Sequence, residues 1–170
     1  LFMRLYDVTD GQILIDGLII HSSSTRDNWH ANISLVPQNV YLTDSSIISN
    51  IAFGLTADEI NVERVKEVIK ITQLEKLVAS LDGGYDYVVG EAGKNLSHGQ
   101  RQRIGIARAL YRETDLLVID EGTSALDRQT QADIIKNLNT LYNRPAIIMV
   151  AHRTEVLHDY DAIYEVKDGS

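Results

Sequence analysis

The chain has no cysteine, only two prolines and a single tryptophan among its 170 residues. Without cysteine there is no disulfide scaffold and no thiolate metal site, so a small cross-linked secreted domain is excluded. Long apolar runs are also missing. The longest, such as "PAIIMVAH" from Pro145 to His152, falls far short of the roughly 20 residues that cross a bilayer. No charged segment followed by an apolar one opens the sequence, so a cytosolic setting is expected. Bases are fewer than acids, 16 against 24, and the net charge of -8 argues against a nucleic-acid partner, because binding a phosphate backbone needs a basic face. Two phosphate-binding loops are absent as well. The pattern G-x-x-x-x-G-K-[ST] occurs nowhere: "GEAGKN", Gly90 to Asn95, has the wrong glycine spacing and no hydroxyl after Lys94, and there is no G-x-G-x-x-G.

A hydrophobic content of 44% is enough to build one core. "LFMRLYD" reads as the tail of an amphipathic helix. "QILIDG" reads as a short strand, followed by a polar stretch to Asp27 and a second strand, "NISLVPQ". The middle is helical. "TADEINVERVKEVIKI" opens with Thr56 and Glu59 at capping-box spacing, and Thr72 and Glu75 repeat it before "LEKLVASL". After the glycine-rich "DGGYDYVVGEAG", the last third alternates: a helix from about Gly99, buried strand "DLLVID", a helix from Arg128 to Tyr142, buried strand "AIIMVAH", a helical turn and a final strand "AIYEV". Such alternation means parallel α/β. No repeat, low-complexity tract or linker interrupts it.

Three apolar strands finish in polar groups. "LLVIDEGTSALD" places Asp120 and Glu121 at the C-terminal edge of a strand, where α/β proteins bind ligands. One such acid can hold Mg²⁺ through water while its neighbour orients or deprotonates an attacking water. Gln38 closes "LVPQ" and His152 closes "IIMVAH". Alone, each has an ordinary structural explanation; together they call for a shared ligand. In "KNLSHGQRQRIGIARAL", Ser97 and Gln100 form a capping box, which suffices to start a helix. It leaves unexplained Gly99, costly in a first turn unless something approaches closely, and five bases (Lys94, Arg101, Arg103, Arg108, Arg112) with no acid among them. The simplest reading of that run is a solvated helix face.

The ordered set "VPQ", "LSHGQRQRIGIARAL", "LLVIDEGTSALD" and "VAHR" resembles the nucleotide-binding domain of ATP-binding cassette (ABC) transporters, over essentially the whole chain. The fold so implied is α/β, a RecA-like parallel-sheet core of P-loop NTPase type lacking its Walker A strand (1–42 and 112–170), with a helical subdomain at 43–111. The resemblance implies Gln38 as the Q-loop residue and Leu96 to Gln100 as the signature. It implies Asp120 as the Walker B Asp, Glu121 as catalytic base, Ser124 to Asp127 as the D-loop and His152 as the switch His. ATP and Mg²⁺ are the implied cofactors, with Asp120 and Gln38 toward the metal, and Glu121, His152 and Gln38 catalytic. It implies that Ser97, Gly99 and Gln100 of the signature face the ATP of a second nucleotide-binding domain in a head-to-tail dimer, with Asp127 of the D-loop also binding nucleotide. The other implied partner is a transmembrane domain, which places the chain at the cytoplasmic face of the cell membrane. "YLTDSSIISNIAFG", the Gly-Glu-x-Gly element before the signature, "GTSALD" and Trp29 are similar to exporter cassettes. Two residues depart from the pattern: His98 stands for the usual first signature Gly, and Gly122 for the usual Ala, which could loosen the turn after Glu121.

The function expected is therefore ATP hydrolysis coupled to export. The segment as given is expected to be inactive alone, because nothing replaces the Walker A loop, whose absence fits a sequence that begins mid-gene. With the Walker A strand gone, the last strand is expected to shift, or a second chain to cover the gap. Two alternatives stand beside this reading. One is a non-transport ABC ATPase acting on DNA or ribosomes, but its genome-maintenance members carry a long coiled coil between Q-loop and signature, where this chain has about 57 residues, and the net charge of -8 also argues against it. A truncated, non-catalytic interaction module would have no need of Glu121 and His152.

Overall fold

A computed structural model describes residue 3 and residues 8–20, 23–123, 125–141, 143–151 and 160–166. The segment read as one strand, "QILIDG", is half of a hairpin: β1 (Leu14–Ile15) pairs antiparallel with β2 (Leu18–Ile19). Asp16 and Gly17 both take positive φ, 49° and 79°, as a two-residue Asp-Gly hairpin turn requires. The polar stretch that follows contains a helix, α1 (Ser23–Ala31). Its Trp29 packs with Met3 against Ile33, Leu116 and Val118, closing one face of the sheet.

That sheet is parallel, with the order β3 (Ile33–Val36), β4 (Leu116–Asp120), β5 (Ala146–Val150). In the register Val36 stands beside Ile119, and Asp120 beside Val150. Central β4 is buried from Leu116 to Ile119, and its run of apolar residues is what a strand covered on both faces needs. β5 was expected to be buried too, but its side chains alternate between exposed and half-buried. Among the described residues no strand pairs with its outer edge, so Ile148 and Val150 stay 42% and 46% exposed. The expected final strand is not formed. Residues 162–166 join no strand among the described residues, and Ile163, Tyr164 and Val166 are exposed.

The helices between β3 and β4 are α2 (Ile47–Ile51), α3 (Val62–Ile71), α4 (Glu75–Ser80) and α5 (His98–Tyr111). The capping box expected at Thr56 does not start α3. Glu59 does bond back to Thr56, yet the chain turns there, and Asn61 caps the helix through Arg64 N–H. Nor does Thr72 cap α4: its hydroxyl donates to Val68 O at the end of α3. α6 (Arg128–Asn139) follows β4, three residues shorter than read, and Tyr142 lies outside the described residues. So do the tail at 4–7 and the helical turn after His152. One cluster of buried side chains runs from Ile47, Ile69 and Leu74 through Ile104 and Ile106 to Ile119, Ile134 and Leu138, so α2 to α6 share a core with the sheet.

Candidate functional site

The C-terminal edge of the sheet brings two of the expected residues into contact. Gln38, two residues beyond β3, donates from Nε2 to Glu121 Oε2 at 2.8 Å, across 83 residues of sequence. Glu121 has left-handed backbone, φ 48°, while its N–H still donates to Val150 O at 3.1 Å. Its backbone is thus fixed by β5 and its carboxylate by Gln38. Asp120, the last residue of β4, is exposed beside it. His152 and Ser124 lie outside the described residues.

Gly122 lies at a close contact in this turn. It is buried, and a Cβ built on it would stand 2.6 Å from Val36 Cγ1, so the missing methyl is the space into which β3 packs. Beyond it, Asp127 caps α6, accepting from Thr130 N–H at 2.9 Å and Thr130 Oγ1 at 2.7 Å. Those bonds, the hydroxyl first, hold its carboxyl below the usual carboxylate range.

The first turn of α5 shows the full capping box: Gln100 N–H donates to Ser97 Oγ at 3.2 Å, and Ser97 N–H to Gln100 Oε1 at 2.8 Å. This uses two donors of the helix start and leaves the N–H groups of His98 and Gly99, so a cap and an anion site are compatible here. The close approach at Gly99 is to the chain itself. A Cβ there would lie 3.0 Å from Ala125 O. Ser97 and Gln100 pair with each other and not with the Gln38–Glu121 cluster, so this chain carries two separate groups of candidates.

Of the five bases, Lys94 and Arg112 are exposed, as a solvated face requires, but Arg101, Arg103 and Arg108 are not on one. Arg101 donates to Leu96 O at 2.7 Å and Arg103 to Gln73 O at 2.5 Å. Arg108 reaches Asn50 O, Tyr41 O and Asn50 Oδ1, and lies 4.9 Å above the Phe53 ring. Burial lowers the pKa of Arg103 and Arg108, and the carbonyls around them compensate the desolvation. These arginines bind the helical region to itself, and so are not phosphate ligands.

Two side chains escaped the sequence reading. Asn50 is fully buried, and it accepts from Thr43 N–H and Arg108 while donating to Thr43 O and Ser46 O. Gln102 is fully buried on α5 and accepts from Ala125 N–H at 2.9 Å. A polar residue on the apolar stripe of Ile106 and Leu110 was the signal available for Gln102.

The donor set suits a hard cation that keeps much of its water. Gln38 spends its Nε2 on Glu121, which leaves Oε1, and the Asp120 carboxylate is exposed alongside. Among the described residues no group of three or more His, Asp or Glu forms a closed metal cage, and none of their helices is long and apolar enough to cross a membrane.

The chain is 36% identical, over all 170 residues, to the ATP-dependent lipid A-core flippase of Vibrio vulnificus (strain YJ016), 38% identical to that of Blochmanniella floridana, and 37% identical over 169 residues to that of Escherichia coli (strain K12). It spans 29% of the length of each of these curated relatives. A solved structure of a bacterial Atm1-family ABC exporter with ATP bound matches 94% of the chain and 28% of its own, with TM-score 0.86 and 36% identity. The ABC transporter family model matches residues 1–124, and the chain belongs to that family.

Proposed function

We propose that the chain is the signature-bearing and Walker B-bearing part of a nucleotide-binding domain that hydrolyses ATP to drive export, with lipid export of the flippase kind as its model. The observation that carries this reading is the Gln38–Glu121 hydrogen bond at 2.8 Å beside Asp120. Glu121, its carboxylate turned by Gln38, takes the proton of a water aligned with the γ-phosphate, with His152 as its helper. Asp120 and Gln38 Oε1 would hold Mg²⁺, which would offset the charge of the phosphates. The first turn of α5, from Ser97 to Gln100, offers the N–H groups of His98 and Gly99 to the phosphates of an ATP held by a second nucleotide-binding domain, and Asp127 faces the same junction. Residues 43–111 are the helical subdomain in this reading. A transmembrane domain is the other partner, and the domain works at the cytoplasmic face of the membrane.

The 170 residues contain no Walker A loop, so alone they turn over no ATP in this reading. The test replaces the matching 169 residues of the Escherichia coli flippase with this chain and measures ATPase activity. The chimaera is expected to hydrolyse ATP, and Glu121→Gln to lower the rate ~10²–10⁴-fold while ATP is still bound. A folded chimaera with no ATPase activity would overturn the reading. Turnover by the isolated chain that Glu121→Gln abolishes would overturn its inactivity.

A further inference from the structure

The loop that joins Glu121 to Asp127 is held at three places. On one side Gly122 sits against Val36 of β3, and at its end Asp127 caps α6. The third anchor is the peptide of Ala125, gripped at both ends by α5. Its N–H donates to Gln102 Oε1 at 2.9 Å, and its carbonyl rests on the bare Cα of Gly99. Leu126 lies against Gly99 as well, 3.7 Å from where a Cβ would stand.

Gln102 is fully buried. An amide in such a place is costly unless its hydrogen bonds are met, so it tolerates only small displacements of the groups it holds. It sits one helical turn after Gly99 and the first turn of α5. Four residues before Ala125 stands Glu121, and two residues after it stands Asp127.

We propose that Gln102 is a positioning residue, which couples the first turn of α5 to Glu121 by fixing the Ala125 peptide between them. On the composite-site reading above, the first turn of α5 serves one ATP and Glu121 another. Gln102 then makes the two half-sites of one chain respond together: a shift of the signature on engaging its ATP is passed to the base that acts on the other. No nucleotide is needed for the tie itself, which exists within this chain.

The test is amide exchange and resonance shifts in the 170-residue chain, in a cycle of Ser97→Ala and Gln102→Ala. Gln102→Ala is expected to speed exchange of the Ala125 N–H about five- to tenfold, the loss of one buried hydrogen bond. The Ile104 and Ile106 amides of α5 should keep their protection. Gln102→Glu, which retains the acceptor oxygen, should restore slow exchange at Ala125. Removing the cap by Ser97→Ala should move the Glu121 resonances when Gln102 is present and leave them still when it is absent. Equal movement in both backgrounds, or none in either, would overturn the coupling. So would uniform loosening of α5 in Gln102→Ala that Gln102→Glu does not repair, which would make Gln102 a packing residue only. A chimaera without ATPase activity beside a positive cycle would refute the functional reading and leave the tie standing.

Discussion

β4 and β5 are neighbouring parallel strands of five residues, "LLVID" and "AIIMV", and they face opposite situations. β4 has a strand on each side and is buried from Leu116 to Ile119, whereas β5 has one partner among the described residues and Ile148 is 42% exposed. Apolar composition alone therefore does not decide burial; the number of covered edges and faces does. The β3 side of the molecule adds a second layer of order, because α2 and α5 close over it with polar ties as well as apolar contacts.

The largest effect is expected where that polar tie is removed. Asn50→Leu keeps the volume but leaves Thr43 N–H and part of the Arg108 guanidinium without their acceptor inside the core. Such stranded donors cost about 3 kcal/mol or more together. Calorimetry should show the melting temperature falling by roughly 6–12 degrees. A loss of only one or two degrees would mean that α2 and α5 are held by packing alone.

The comparison of the strands is next in size. Ile119→Ala, at 1% exposure in β4, should cost about 2–5 kcal/mol. Ile148→Ala, one strand over, should cost under about 1 kcal/mol, since its side chain is already half in water. Urea unfolding of the two variants measures both. Equal losses would show that the β5 side is covered in solution.

How far such contrasts were legible in the sequence depended on the range of the interaction. The Ser97–Gln100 box was readable because both partners lie within one turn, and the structure forms it as expected. Thr56 and Glu59 have the same spacing and even make the bond, yet the chain bends away, and Asn61 begins the helix. Local spacing is necessary for a cap and does not by itself start a helix. Helix α1 was missed because its segment is polar apart from Trp29 and Ala31, too few to show a period. The strand expected at 162–166 did not form for the opposite reason: an apolar pattern is not enough without a pairing that the sequence does not specify. Gln38, Asp120 and Glu121 were found as strand ends in polar groups, which needs no knowledge of pairing. That Gln38 touches Glu121, and Gln102 Ala125, could come only from the fold, across 83 and 23 residues.

Gly122 sharpens the comparison further, because it shows how tightly β3 and the turn after β4 meet. Gly122→Ala would set a methyl 2.6 Å from Val36 Cγ1, and Val36 is fully buried with nowhere to retreat. The expected cost is about 1–3 kcal/mol from overpacking. Val36→Ala in the same chain should recover part of it, so the double variant should lose less than the two single losses added. Strict additivity in urea unfolding would mean that the turn moves away from β3.

The smallest effect concerns the exposed cap of α6 and its dependence on pH. The Asp127 carboxyl has its pKa lowered in the folded chain, first by the Thr130 hydroxyl and then by backbone N–H groups. A depressed carboxylate stabilises the fold above its unfolded pKa of about 4. That contribution fades as the pH falls through the folded value, which lies lower still. Thr130 amide exchange, corrected for the intrinsic rate at each pH, should therefore stay protected to below about pH 4 and then accelerate, while the deeper Ile134 and Leu138 amides change little. In Asp127→Asn the side-chain oxygen still accepts from Thr130 N–H, so the step should vanish while most protection remains. A step that survives in Asp127→Asn would assign the acid sensitivity of α6 to another carboxyl. Because the group is open to solvent, added salt should shrink the step, which separates this surface cap from the buried ties of α2 and α5.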